Sequence, residues 1–328
     1  MTNYALSDLD GWWFGPSTWL DELDQQYGQP GVTDTAEILA GGNPWIYNGT
    51  LQVRNVIIED PGGNLSTGLS AYNSVIGADT AIYVEAGKPS LKFSNSVLNG
   101  NLFAQGGSTT LSVPAEAYGD NLGTTIVGGI PLSSGGYMSA SLTLAGTGTF
   151  ANFANIYAFN SGTFDSLGQQ KLLNNGVIVA NAGTVNLAGT LNDTGSLLAT
   201  NGGIINLSSM QLGGTVDVYD HGVFVVGGLI TGDGMLDLNS GRLEFADNNS
   251  TNIVQSVTLA FSGSSFTLQF DGAMSVSDLF LSTDHDNLVV AASSNTGIRL
   301  MAFSLDTAHA YTANEFVVRG DQVVYTAA

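Results

Sequence analysis

The chain has no cysteine and, in 328 residues, only 7 lysines and arginines, 7 prolines and 3 histidines. Without cysteine there are no disulfides, thiolate nucleophiles, Cys-ligated zinc or iron–sulfur clusters, and such a chain suits export in an unfolded state. Seven cations against 28 acidic residues give a formal charge of −21. So few cations cannot form the phosphate footprint that nucleic acid binding needs, and an anionic membrane surface repels the chain. No apolar run reaches the roughly 18 residues of a membrane-spanning helix. The opening Met-Thr-Asn-Tyr-Ala-Leu-Ser-Asp-Leu-Asp is acidic where a secretory signal is basic. Any export is therefore expected to proceed without a cleaved N-terminal signal. Hydrophobic residues make up 43% of the chain, which is ample for a core and excludes wholesale disorder.

Glycine, by contrast, is abundant and periodic. Gly176, Gly195, Gly214 and Gly234 form one set near a 19-residue spacing, and Gly183, Gly203, Gly222 and Gly241 form a second. Apolar residues keep register with them. Ile178, Leu197, Val216 and Leu236 form one column, and Val185, Ile205, Phe224 and Leu243 another; a third reads Leu191, Met210 and Leu229. Within each segment apolar residues alternate with polar ones, which is the period of a half-buried strand. The glycines and asparagines mark corners, where positive φ is accessible. Equivalent residues recurring once per repeat predict stacked coils at about 4.8 Å. The fold expected is all-β: a parallel β-helix of 19–20 residues per coil, with a set of equally spaced antiparallel hairpins as the competing geometry. Tyr157, Phe159, Gly162 and Phe164 lead Ile178, Ala180, Gly183 and Val185 by 21 residues, extending the period backward.

This divides the chain into residues 1–49, 50–250 and 251–328. The middle segment is the solenoid, of roughly ten coils and on the order of 50 Å. The first segment holds all four tryptophans, Trp12, Trp13, Trp19 and Trp45. It also holds a helical pattern over 17–27, with Ser17 as N-cap and Gly28 as stop. A solenoid end needs a cover, so this segment reads as a cap or, since Trp and Tyr anchor interfaces, as an assembly surface. In the last segment strand alternation persists without the period, ending in two β runs around Gly320-Asp321 that read as a hairpin. The residues expected to mediate assembly are Trp12, Trp13, Trp19, Tyr27, Trp45, Phe316, Val318 and Val324.

Catalytic signals are sparse. Asp217 and Asp237 occupy outward positions of adjacent coils, near Asp220 and His221, the kind of carboxyl pair a glycosidase needs, but stacked outward carboxylates also simply solvate an acidic chain. The Asn-Thr-Asp, Asp-Asp, Gly-His-Gly and Arg-Ile-Lys groups of pectinase-like β-helices do not occur. Oxygen-rich turns at Asp8, Asp10, Asp233, Asp247, Asp284 and Asp286 are candidate calcium ligands, although Asp is also an ordinary turn residue. Arg319-Gly320-Asp321 matches an integrin-recognition tripeptide, and the turn accounts for it.

An acidic, cysteine-free, Gly/Asn/Thr-rich solenoid of this kind resembles bacterial extracellular proteins exported by type I secretion: repeat-containing surface-layer, adhesin and biofilm-matrix proteins. The resemblance implies an extracellular or cell-surface location and an uncleaved C-terminal export signal. The calcium-binding nonapeptide of the repeats-in-toxin class is absent; Gly232-Asp-Gly-Met-Leu-Asp237 is a distant approach, and that calcium roll is not carried over. The expected function is non-enzymatic self-association, head to tail, into a fibre, layer or matrix, with structural calcium as an optional ligand. A carbohydrate-binding adhesin using Tyr219, recognising cell-surface polysaccharide, is one alternative, and a polysaccharide hydrolase or lyase is the other.

Overall fold

A computed structural model describes residues 2–6, 11–15, 18–22, 25–60, 67–114, 117–128, 137–166, 171–246, 254–255, 258–260, 265–270, 275–281, 287–294, 297–306 and 310–327. It is all-β, with parallel sheets stacked as a β-solenoid. Among the described residues there is no α-helix, only a single 3-10 turn at Ala313–Glu315. The chain separates into two compact units, Met1–Leu173 and Asn174–Ala328.

Each coil presents an opening strand to one sheet, then a middle and a closing strand to the other. In the first unit the opening ladder runs Thr35–Ile38, Asn55–Glu59, Ala81–Ala86, Asn101–Ala104, Thr125–Gly128 and Asn155–Phe159, parallel throughout. The solenoid therefore begins before residue 50: Trp45–Tyr47 already pairs with Gly68–Tyr72. In the second unit the opening ladder is Val177–Asn181, Ser196–Thr200, Thr215–Tyr219, Met235–Asn239 and Thr258–Ala260. Parallel coils continue past residue 250, where Arg242–Phe245 pairs with Ser265–Phe270.

The predicted columns are true stacks. Ile178, Leu197, Val216 and Leu236 pair in register and are fully buried, as are Val185, Ile205, Phe224 and Leu243. The third column departs by one residue. Met210 pairs with Ile230, which is buried, while Leu229 is 40% exposed. An additional residue in the Gly227-Gly228 corner shifts the register, and a one-residue slip moves a side chain to the other face. The same parity argument corrects the backward extension. Ile156 and Ala158 point inward, and Tyr157 and Phe159 point outward.

Corner length explains these slips. Eight residues separate Leu197 from Ile205 and Val216 from Phe224, and those corners hold two left-handed residues each, Asn201-Gly202 and Asp220-His221. Seven residues separate Ile178 from Val185 and Leu236 from Leu243, and there only Ala182 or Ser240 is left-handed. The Ile156-to-Phe164 corner is of the longer kind, with Asn160 and Ser161 both left-handed.

The repeating glycines serve another purpose. A Cβ on Gly214 would lie 1.9 Å from the Gly195 carbonyl oxygen, and one on Gly203 would lie 2.0 Å from that of Ala180. These positions exclude a side chain because the preceding coil's backbone passes against them, and positive φ is carried mostly by their non-glycine neighbours.

The first and last strands depart from the coil pattern. Asn3–Leu6 lies parallel to Thr35–Ile38 and antiparallel to Trp19–Asp21, which pairs in turn with Tyr27–Gly28. The helix expected over 17–27 is thus replaced by strands. Pairing with Asn3–Leu6 and burial of Trp19 outweigh a weak local propensity. At the other end, Thr258–Ala260 is followed in its sheet by Gly297–Leu305, Asn287–Ser294 and Ser275–Leu281 as a meander. Ser265–Phe270 is followed by the expected hairpin, Gln322–Thr326 and Phe316–Arg319, turning at Gly320 with φ of +65°.

Candidate functional site

The aromatic residues of the N-terminal segment sort into two groups. Trp13 and Trp19 are fully buried, their rings 4.4 Å apart, and Trp19 Nε1 donates to the Trp13 carbonyl at 3.0 Å. They are core residues rather than contact residues, which corrects their expected role in assembly. Trp12 and Trp45 lie on the surface, stacked at 6.2 Å, with Phe14 edge-on to Trp12 at 5.9 Å. Tyr27, on the outermost described strand here, is 60% exposed.

The C-terminal hairpin divides similarly. Phe316 is buried among Tyr311, Tyr325 and the rest of its aromatic cluster, and so belongs to the core. Val324 is half-buried on the inner strand, whereas Val317 and Val318 are exposed on the outer one. Among the described residues no ladder forms on the far side of Phe316–Arg319 or of Ser275–Leu281, where Phe280 is also exposed. Such edges are ordinarily blunted by lysine, proline or inward charge. Here the Phe316–Arg319 edge carries one cation, Arg319, and the Ser275–Leu281 edge carries none.

The outward carboxylates Asp217 and Asp237 pair in register. Burial, and then the neighbouring Asp237 charge, raise the Asp217 carboxyl above its ordinary range. His221 and Asp220 sit 3.5 Å apart at an exposed corner. A shallow groove of about 250 Å³ opens on the second unit, lined by Asn186, Leu187, Asn206, Leu207, Ser208, Val225, Gly227 and Ala246. Its lining holds no carboxylate, imidazole or cation, so it offers amide hydrogen bonds and apolar contact without an acid or base. Asn206 Nδ2 donates to Asn186 Oδ1 at 2.6 Å along its wall.

Of the candidate calcium ligands, Asp233 lies exposed at a corner. Asp8, Asp10, Asp247, Asp284 and Asp286 fall outside the described residues. Among the described residues no three His, Asp or Glu side chains converge as a metal site, and no helix is long and apolar enough to cross a membrane.

A polar column inside the core has no counterpart in the expected pattern. In the first unit the closing-strand column runs Leu51, Ile76, Leu98, Asn121, Asn152. Asn121 Nδ2 donates to Asn152 Oδ1 at 2.9 Å, and both residues are fully buried. In the second unit Asn174 Nδ2 donates to Asp193 Oδ1 at 2.6 Å, and the next position is Leu212. Asp193 is fully buried, and its Oδ2 accepts no hydrogen bond from any described group. Burial pushes the Asp193 carboxyl up to about 6, against the lowering effect of the Asn174 and Gly195 donors. The irregular spacing of Asn121, Asn152, Asn174 and Asp193 conceals this column in the sequence.

Compared with protein-family models, curated proteins and solved structures, the chain matches none of them.

Proposed function

We propose that this is a non-enzymatic structural protein whose copies associate end to end into an extracellular fibre, layer or matrix. The observation that carries this reading is the C-terminal strand Phe316–Arg319, with Val317 and Val318 exposed and no ladder on its far side among the described residues, although Ser275–Leu281 approaches it at the turn, where the Val276 N–H donates to the Gly320 carbonyl at 3.0 Å. An edge of this kind is a template for a further strand. Pairing it with a different surface of the next copy is a heterologous contact, which generates open filaments. The exposed N-terminal aromatics Trp12, Trp45 and Tyr27 are the matching anchors proposed at the other end. Calcium would act as a counter-ion to a chain of charge −21. An extracellular or cell-surface location belongs to the same proposal.

Light scattering of the purified chain over a concentration series tests this. The mass is expected to grow with concentration, and Val317→Lys with Val318→Lys to hold the protein at the monomer mass. A chain that stays monomeric at high concentration, with or without calcium, would retire the reading.

The groove walled by Asn186 and Asn206 favours one alternative, a carbohydrate-binding adhesin that takes a neutral glycan, with the exposed Tyr219, which is not part of the groove's lining, as a separate stacking surface. Glycan-array binding abolished by Asn206→Ala or Tyr219→Ala would promote it.

A further inference from the structure

The outward face of a solenoid sheet ordinarily carries polar residues. On the opening-strand sheet of the first unit one outward column breaks that rule. Ile57, Tyr83, Phe103, Ile126 and Tyr157 stack in register on successive coils, each only partly buried. The Tyr83 and Phe103 rings are stacked at 4.9 Å. Four coil steps at about 4.8 Å make this stripe about 19 Å long. One flank is lined by Asn55, Asn101 and Asn155. Toward the N-terminal end the column continues into Glu37, and Glu59 and Glu85 stand beside it. These carboxylates crowd one another. Burial raises Glu37, and the charges of Glu22, Glu59 and Glu85 add to it. Burial and a hydrogen bond to Glu59 raise Glu85.

We propose that this face docks a cationic amphipathic helix of a partner protein, with apolar residues along the stripe and Lys or Arg against Glu37, Glu59 and Glu85. A contiguous apolar strip with a polar rim is the mark of an interaction surface. A helix of about 13 residues matches its length, and packing a helix on a sheet face is a common way to cover one. The charge decides the occupant. Crowded carboxylates gain from a cation, and a second copy of this chain, with 7 cations against 28 acids, brings more of the same repulsion. Docking here is independent of end-to-end association.

The probe is a fluorescent amphipathic helical peptide of leucine and lysine, compared with a scrambled peptide of equal charge and composition that lacks the apolar stripe. Anisotropy titrations use the full chain at low and high salt. The amphipathic peptide is expected to bind roughly tenfold or more tightly than the scramble, since a few apolar side chains buried on the stripe are worth that factor. Tyr83→Thr and Phe103→Thr keep strand propensity and should each reduce binding to the level of the scramble, with circular dichroism confirming the fold. Ile126→Thr serves if either fails to fold. Glu59→Gln with Glu85→Gln should weaken binding and flatten its salt dependence. Equal affinity for the two peptides, or wild-type affinity in the Tyr83 and Phe103 variants, would overturn the proposal and reduce the interaction to the net charge.

Discussion

In the second unit the opening-strand column is aliphatic at every coil, Ile178, Leu197, Val216 and Leu236, whereas the closing-strand column starts with Asn174 and Asp193 and turns apolar only at Leu212. Both columns are buried to the same degree. The aliphatic column is held by area removed from water, and any residue of similar volume would serve. The polar column is directional: the Asn174 amide donates to Asp193 on the next coil, as Asn121 does to Asn152 in the first unit, and each such bond fixes which coils are neighbours. Its cost falls on Asp193, whose carboxylate ends the run with one oxygen unsatisfied.

The two columns respond oppositely to substitution. Leu197→Ala, in the aliphatic column, should destabilise the second unit by about 2–5 kcal/mol through lost transfer energy and a residual cavity. Urea unfolding measures this. Asp193→Asn should do the reverse at neutral pH. The folded-state value near 6 lies above the ordinary 3.8. The penalty is therefore absent below about pH 4, grows between pH 4 and 6 and is complete above it. At 1.36 kcal/mol per unit this amounts to about 3 kcal/mol. Asp193→Asn is expected to raise the melting temperature at pH 7 and to remove that loss of stability between pH 4 and 6. A variant no more stable than wild type at pH 7 would mean the carboxylate is satisfied.

Smaller effects separate close approach from backbone conformation at the corners. Gly214→Ala must push its coil away from the Gly195 carbonyl and should cost about 1–3 kcal/mol, as overpacking does. Ala182→Gly, at a left-handed position with φ of 53°, should instead stabilise by about 0.5–1 kcal/mol. Thermal melts of the two variants should therefore shift in opposite directions.

Much of the solenoid was legible because aliphatic residues such as Ile178 and Leu197 recur at near-constant spacing and only a stack buries them all. Register was less legible. Leu229 and Tyr157 fall one residue out of register because corner lengths vary without a fixed order, by one residue at Gly227-Gly228 and by one between the Ile156–Phe164 and Ile178–Val185 corners, and a hydropathy period does not register such an insertion. The helix expected over 17–27 failed for another reason: Trp19 pairs with Leu6 and packs on Trp13, both of which lie outside the segment that carries the helical pattern. The buried amides of Asn121 and Asn152 escaped notice because hydropathy periodicity registers only apolar residues. The outward stripe from Ile57 to Tyr157 was hidden among strands whose inward positions are equally apolar. Of the residues expected to mediate assembly, Trp12, Trp45, Tyr27 and Val318 lie on the surface, while Trp13, Trp19 and Phe316 pack the core.

The most direct test is negative-stain electron microscopy of the purified full chain, with calcium and with chelator. End-to-end association predicts filaments or sheets in at least one condition, and their loss on chelation would make calcium the switch. Isolated particles in both conditions, at a concentration where light scattering gives the monomer mass, would contradict it and show that the terminal strands close the solenoid rather than extend it.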